Sequence, residues 1–264
     1  MNIAEKFRTL KATGRKGLIM YLTAGFPDYN TTLQAVKAVE SAGADLVEIG
    51  LPFSDPMADG PIIQHAATQA LAAGATVGKA LELVTRIRQE TAIPLAVMTY
   101  YNIVLQLGID KFTGSFAKAG ISGLIIPDLP VEETAVVEPA CRQAGLDLIR
   151  FIAPTTTPDR LQTICSQADG FLYCISSTGV TGVRSIDYDQ LAPLMAAVRQ
   201  ETGLPLAMGF GIGSPEAACQ AAKYADAVIV GSAIMERLTN RGVEAVREFT
   251  SAIRQALDKE CGGR

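Results

Sequence analysis

The chain has 264 residues, of which 48% are hydrophobic and 19% are charged, and its formal net charge is −4. This composition excludes a disordered chain, because enough apolar side chains are present to form a large core. The negative balance offers no basic surface to nucleic acid or to an anionic membrane. No early apolar segment follows Met1, and no apolar run approaches the length of a membrane span. We therefore expect a cytoplasmic protein that binds neither nucleic acid nor membrane.

The residue types that most often bind metals give no metal site. The five cysteines lack CxxC spacing and are odd in number, which is typical of reduced packing residues. His65 is the only histidine, and no metal-ligand cluster surrounds it.

In chain order, the sequence begins with an amphipathic helix at Ile3–Ala12 and then repeats a unit of strand, loop and helix. The predicted strands are Leu18–Ala24, Asp45–Gly50, Leu95–Tyr100, Gly123–Pro127, Leu146–Ala153, Gly170–Ile175, Pro205–Phe210 and Ala227–Gly231. The predicted helices between and after them are Thr31–Ala42, Val77–Gln89, Ile109–Ala119, Glu132–Ala144, Asp159–Gln167, Tyr188–Arg199, Pro215–Ala222 and Val243–Leu257.

Eight strands that alternate with helices predict one α/β domain, a (β/α)8 TIM barrel spanning residues 1–264 with an extra short N-terminal helix. An open doubly wound sheet is the alternative. It would need a GxGxxG-type turn after an early strand, whereas the first strand here ends in TAGFPD. In a barrel, the loops that follow the strands carry the chemistry.

The second strand and its loop hold the strongest candidates for catalysis. Leu46 and Glu48 should face one side of the strand, and Val47 and Ile49 the other. A carboxylate in the middle of an apolar strand is rarely buried without a partner or a function. Asp59 follows on a proline-rich loop, so the two carboxylates can face one cavity and divide acid and base roles. The alternative for Asp59 is a turn or helix-capping role.

The last two strands end in small residues that suit an anion. GFGIGS follows the seventh strand and GSA the eighth, and a short helix N-terminus there offers unpaired N–H groups. Neither segment contains Lys or Arg, so backbone amides and Ser232 would bind a phosphate. A close-packed turn is the alternative for GFGIG. A further small-residue segment, Ser176–Arg184, suits either a mobile flap over a substrate or a plain surface loop.

Together these segments resemble the tryptophan synthase α-subunit family over nearly the whole chain. The motifs that carry the resemblance are VEIGLPFSDPMADGP, IIPDLPVEE, APTTTPDRL, STGVTGVR and GFGIGSPE, in this order. The resemblance implies cleavage of indole-3-glycerol phosphate to indole and glyceraldehyde 3-phosphate. It also implies a β-subunit partner in an α2β2 heterotetramer, with pyridoxal phosphate (PLP) in that β subunit and no cofactor in this chain.

The resemblance also implies roles for individual residues. Glu48 and Asp59 match the two catalytic acids. The positions that match the family's phosphate site are Gly182, Phe210, Gly211, Gly231 and Ser232. The positions expected to line the indole pocket or support the acids are Tyr21, Met98, Tyr100, Asp128, Tyr173 and Thr181. Pro52 and Asp55 lie in the loop that resembles the partner-contacting one.

Two other functions remain open at the level of sequence. A phosphoribosyl isomerase would need acid–base residues on the first strand and near the fifth, where this chain has Thr23 and Arg150. A barrel that only binds and regulates a partner would bind the substrate without releasing indole.

Overall fold

The computed structural model describes residues 1–175, 187–209 and 211–260, and its eight strands close into a parallel barrel in sequence order. The strands are β1 Gly17–Thr23, β2 Leu46–Gly50, β3 Leu95–Met98, β4 Gly123–Ile125, β5 Asp147–Ile152, β6 Leu172–Ile175, β7 Leu206–Gly209 and β8 Ala227–Val230. All eight predicted strands are confirmed, with ends shifted by one or two residues. Short buried runs of β-branched residues mark such strands clearly because parallel strands are covered on both faces.

Helices follow the strands around the outside of the barrel. They are α1 Ile3–Ala12, α2 Tyr29–Ser41, α3 Pro61–Ala72, α4 Val77–Glu90, α5 Tyr101–Leu107, α6 Ile109–Ala119, α7 Glu138–Ala144, α8 Pro158–Gln167, α9 Ala192–Glu201, α10 Pro215–Ala222 and α11 Ser232–Glu260. Two 3₁₀ helices, Val131–Val136 and Tyr188–Leu191, precede α7 and α9.

The N-terminal helix α1 closes the amino end of the barrel. Asn2 caps it through a reciprocal pair of hydrogen bonds with Glu5. Its apolar face buries Ile3, Phe7 and Leu10 among residues of the barrel interior, and the Phe7 and Phe171 ring centroids lie 5.6 Å apart. The carboxyl end of the barrel is therefore the end left for a ligand.

The register of β2 agrees with the predicted alternation of its side chains. Leu46 belongs to the interior cluster of the barrel, whereas Val47 and Ile49 pack in the layer between strands and helices. Glu48 pairs with Tyr21 of β1 on one side and with Ala96 of β3 on the other. Glu48 therefore points into the barrel.

The helices differ from the predictions at several places. The helix α3 was not among the predicted helices, and the predicted helix Tyr188–Arg199 is divided into a 3₁₀ helix and α9, because Pro193 lies in the first turn of α9. The predicted helix Glu132–Ala144 is divided into the 3₁₀ helix and α7, because Pro139 starts a new first turn. The predicted final helix Val243–Leu257 is confirmed as the part of α11 that follows Gly242, whose φ of 73° separates it from an earlier part, beginning at Ser232, that was not predicted. The short helix α5 was missed, since Tyr100 and Tyr101 follow the strand directly.

Among the described residues, no helix combines the length and apolarity needed to cross a membrane.

Candidate active site

A pocket of about 880 Å³ opens at the carboxyl end of the strands. It is lined mainly by apolar side chains and glycines, together with the carboxylate of Asp59, the phenols of Tyr21 and Tyr173 and the hydroxyl of Ser232. The lining residues are Tyr21, Ala58, Asp59, Ile63, Met98, Pro127, Phe151, Tyr173, Ile175, Gly211, Ile212, Gly213, Ile229, Gly231, Ser232 and Ala233. An apolar pocket with few polar groups is typical of a small-molecule site.

Glu48 lies within the barrel and is fully buried. Neither of its carboxylate oxygens has a hydrogen-bond partner among the described residues. Burial without such compensation raises the pKa of Glu48 to about 8. At neutral pH the group is therefore mostly protonated, which suits a residue that gives and takes protons.

Asp59 lies just before α3 and is held by a phenol. The Tyr100 hydroxyl donates to Oδ2 of Asp59 at 3.1 Å and accepts from the Ala58 backbone N–H at 3.1 Å. Burial raises the pKa of Asp59 to about 6, against the lowering effect of the Tyr100 hydrogen bond. Asp59 is therefore mostly ionised at neutral pH while Glu48 is mostly protonated. The capping alternative does not describe Asp59, since Gly60 is the N-cap of α3, although the Asp59 backbone N–H closes a turn by donating to the Pro56 carbonyl at 3.3 Å.

Tyr21 and Tyr173 are the phenols that lie near both acids. Burial is the largest cause that raises their pKa values, and the negative charges of Asp59 and Glu48 raise both further. Each ring lies where a glycine on the next strand has no side chain. A Cβ added at Gly50 would meet the Tyr21 ring, and one added at Gly209 would meet the Tyr173 ring. The phenols are thus fixed between the strands as walls around the two carboxylates.

The late glycines line the other part of the same pocket. Gly211 adopts φ 73°, a conformation that favours glycine. Gly231 directly precedes α11, whose first residue is Ser232. The first N–H groups of a helix have no intrahelical acceptor, so they are available to an anion. Among the described residues that line the pocket, none is Lys or Arg.

Two further side chains complete the apolar wall. Met98 lies at the end of β3 and lines the pocket, as the family resemblance implied. Phe151 of β5 also lines it and packs against Tyr173, with ring centroids 4.8 Å apart. Phe151 was not among the predicted residues. The alternation along β5 could have found it, since Phe151 and the interior residue Ile149 are two residues apart.

Like Glu48 and Tyr100, three other predicted residues are not among those that line the pocket. Both Asp128 oxygens accept the Tyr101 backbone N–H, at 2.9 and 3.2 Å, and Asp128 borders a neighbouring crevice. Pro52 is half-buried and Asp55 is exposed, both on the loop between β2 and α3. Thr181, Gly182, Phe210 and the segment Ser176–Arg184 lie outside the described residues.

The remaining candidates take no part in the pocket. His65 is exposed on α3, and its ring approaches that of Phe26 edge-on at 6.5 Å. In the described ranges no group of histidine, cysteine and acidic side chains is arranged to hold a metal ion.

A closed parallel barrel with the buried carboxyl of Glu48 in its interior, and with the Asp59 carboxylate and a helix N-terminus at its carboxyl end, defines a (β/α)8-barrel enzyme. The family model described as tryptophan synthase alpha chain matches residues 7–260. The tryptophan synthase alpha chain of Thermosynechococcus vestitus is 46% identical over 259 residues, covering 97% of both chains. That of Gluconacetobacter diazotrophicus is 49% identical over 237 residues, covering 89% of this chain and 86% of the relative.

Solved structures agree with the sequence relatives. A structure of Mycobacterium tuberculosis tryptophan synthase superposes with a TM-score of 0.90 at 38% identity, covering 97% of each chain. The alpha subunit from Legionella pneumophila gives a TM-score of 0.90 at 35% identity, covering 98% of this chain and 99% of the other. The chain belongs to the tryptophan synthase alpha chain family. It is accordingly a lyase of tryptophan biosynthesis with the TIM-barrel fold.

Proposed function

We propose that Glu48 and Asp59 together carry out the retro-aldol cleavage of indole-3-glycerol phosphate in this pocket. The single observation that carries this assignment is the state of Glu48: a fully buried strand carboxyl without a hydrogen-bond partner among the described residues. Leaving a buried polar group unsatisfied costs about 1–3 kcal/mol. A cost of this size is typical of functional sites rather than of packing.

Protonated Glu48 gives its proton to the ring carbon that bears the glycerol phosphate side chain. The resulting Glu48 carboxylate then takes the proton of the side-chain hydroxyl next to the breaking bond. The C–C bonding electrons return to the ring as indole forms, and the hydroxyl carbon becomes the aldehyde of glyceraldehyde 3-phosphate. Glu48 ends protonated, as it began, so one residue closes the cycle.

Asp59 accepts a hydrogen bond from the indole ring N–H. Protonation of the ring carbon places positive charge on the ring nitrogen, and an ionised carboxylate beside it stabilises that charge. The Tyr100 hydrogen bond favours the ionised form of Asp59. Met98, Phe151 and Tyr173 then provide the apolar surface around the ring.

The substrate phosphate binds to backbone N–H groups at Gly211, Gly231 and the start of α11, together with the Ser232 hydroxyl. Gly182 and Phe210 are assigned to the same site from the family resemblance, and Thr181 to support of the acids. Helix N-termini favour anions through both their free N–H groups and the helix dipole. Since the described residues that line the pocket include no Lys or Arg, the affinity for the phosphate should depend on the geometry of these backbone N–H groups.

The partner is the β subunit, which receives the indole, and the assembly is an α2β2 heterotetramer. The loop with Pro52 and Asp55 contacts it, and the side chain of Met57 on this loop is 75% exposed. The PLP chemistry belongs to the β subunit, and this chain acts without a cofactor as one domain over residues 1–264. A cytoplasmic location is in keeping with the buried thiols of Cys141, Cys165 and Cys174.

The two competing functions have less support. Thr23 is buried with its hydroxyl 3.5 Å from that of Tyr21. Arg150 contacts Glu138 of α7 and the Gln167 carbonyl of α8, so its guanidinium faces the outer helices. Neither residue offers an acid–base group to the pocket, as a phosphoribosyl isomerase would require. A purely regulatory barrel gives no reason to bury Glu48.

The test is an indole-release assay on indole-3-glycerol phosphate, with and without the β subunit. Glu48→Gln should lower the rate by about 10²–10⁴-fold. The matched control is Glu82→Gln, an exposed glutamate on α4, which should keep the wild-type rate. Substrate binding without indole release by the wild-type chain, even with the β subunit present, would overturn the proposal.

A further inference from the structure

We infer that Asp128 is a positioning residue for Asp59, acting through the first turn of α5 and the phenol of Tyr100. The inference rests on the proposed function of Asp59 and deepens it. Asp128 follows β4, and we assign to it the role of holding the first turn of α5, the helix that follows β3.

The first contact fixes the start of α5. Both carboxylate oxygens of Asp128 accept the Tyr101 backbone N–H, at 2.9 and 3.2 Å. Tyr101 is the first residue of α5, and its N-cap, Tyr100, makes no side-chain capping bond. Asp128 therefore supplies, from the loop after β4, the capping acceptor that the local sequence lacks.

The second contact carries this position to the active site. Tyr100 is bonded covalently to the residue that Asp128 holds, and its hydroxyl donates to Oδ2 of Asp59 at 3.1 Å. The same hydroxyl accepts the Ala58 N–H at 3.1 Å, and the Tyr100 ring stacks on Phe53 at 5.1 Å. Phe53 at one end of this loop segment and Asp59 at the other thus both contact the Tyr100 side chain. Asp128 anchors the backbone directly after Tyr100.

If Asp128 positions Tyr100, removing Asp128 should raise the pKa of Asp59. If Asp128 acted only through its negative charge, removing it should lower the pKa of Asp59. Removing a nearby negative charge favours ionisation of Asp59, whereas loss of the Tyr100 hydrogen bond disfavours it. The other titratable groups that face Asp59 are the phenols of Tyr21 and Tyr173, which are neutral at pH 7 because burial raises their pKa values. The sign of the change at Asp59 therefore distinguishes positioning from charge.

The experiment measures the Asp59 titration directly by ¹³C-carboxyl NMR in the wild type, Asp128→Ala, Asp128→Asn, Tyr100→Phe and Asp128→Ala/Tyr100→Phe. Tyr100→Phe should raise the pKa of Asp59 by about one pH unit, since it removes the hydrogen bond that favours the ionised carboxylate. Asp128→Ala should raise it in the same direction, and the double variant should equal Tyr100→Phe alone. Asp128→Asn keeps an oxygen acceptor for the Tyr101 N–H and should stay near the wild type.

An unchanged or lowered Asp59 pKa in Asp128→Ala would overturn the inference, and so would additive shifts in the double variant. If Asp128→Ala does not fold, Asp128→Ser removes the charge and shortens the side chain, and the same criteria apply. Indole release gives a second readout, in which the acidic limb of the pH–rate profile should move with the NMR value. Failure of the wild type to release indole would contradict the proposed function, while the NMR titration would still decide the role of Asp128.

Discussion

The Tyr21 ring occupies the space that a side chain at Gly50 would fill, with Cε2 of Tyr21 2.6 Å from the position of a Cβ there. The two residues lie on neighbouring strands, and Tyr21 is also the residue opposite Glu48 in the register. The absence of a side chain at Gly50 therefore determines the position of the Tyr21 ring, which lines the catalytic pocket.

Gly50→Ala should displace Tyr21 and destabilise the protein by about 2 kcal/mol, since overpacking a core typically costs 1–3 kcal/mol. Indole release should fall with it. Chemical denaturation gives the free energy of unfolding, and in a Tyr21→Leu background the same substitution should cost less. Gly114→Ala is the control, because a Cβ at Gly114 meets nothing within 4 Å. As an alanine within a helix, it should be neutral or stabilising. Equal effects of Gly50→Ala in both backgrounds would show that Tyr21 is not what it displaces.

Replacing Glu48 by glutamine should stabilise the folded protein while it lowers the rate of indole release. The folded-state pKa of Glu48 is about 8, above its usual value of 4.5. Between these values the unfolded chain loses the proton that the folded protein keeps, so the wild type loses stability as pH rises. Glu48→Gln removes this penalty, so its free energy of unfolding should be about 4 kcal/mol higher than that of the wild type at pH 8, since each pH unit between 4.5 and about 8 is worth about 1.4 kcal/mol. Urea titrations should show the gap shrinking toward pH 5, and a gap that does not depend on pH would contradict the assigned titration.

The rate of indole release should have a maximum between the two acid titrations. Catalysis requires ionised Asp59 and protonated Glu48, whose pKa values are raised by burial to about 6 and about 8. The rate should therefore rise through about pH 6 and fall through about pH 8, as a property of the pair. Steady-state assays from pH 5 to 9.5 test this. A rate that keeps rising above pH 8 would mean that the proton donor is not Glu48.

Asp147, a half-buried acid at the start of β5 and outside the pocket, offers a separate test of stability. Burial, and next the charge of Asp169, raise the pKa of Asp147 to about 6 from 3.8. Ionised Asp147 thus destabilises the folded state at pH 7, and Asp147→Asn should stabilise it by about 1 kcal/mol. The gain should decrease as pH falls from 6 toward 4, with indole release unchanged. Asp169→Asn should give part of the same gain, and no gain from either variant would contradict the repulsion between the two acids.

The sequence predicts the barrel well because its signals are local. Leu46, Val47 and Glu48 have their expected orientations since a strand alternates its faces regardless of the rest of the fold. The amphipathic helix Ile3–Ala12 has its predicted bounds for a similar reason. The helix α5 was missed because the acceptor for its first turn, Asp128, comes from 27 residues further along the chain.

The site was predictable as far as single residues carry their own signal. A mid-strand glutamate is unusual, so Glu48 could be singled out from its neighbours alone. The hydrogen bond from Tyr100 to Asp59 joins residues 41 positions apart and depends on how loop and helix pack. Likewise, the exclusion of Arg150 from the pocket required the position of Glu138 on α7.

The most direct test of the account is single-turnover cleavage by Glu48→Gln, measured beside the affinity of the same variant for indole-3-glycerol phosphate. Glutamine keeps the size of the side chain but cannot act as the acid, so the dissociation constant should stay within about threefold while indole formation falls at least about 100-fold. A variant that forms indole at the wild-type rate would contradict the assignment of proton transfer to Glu48.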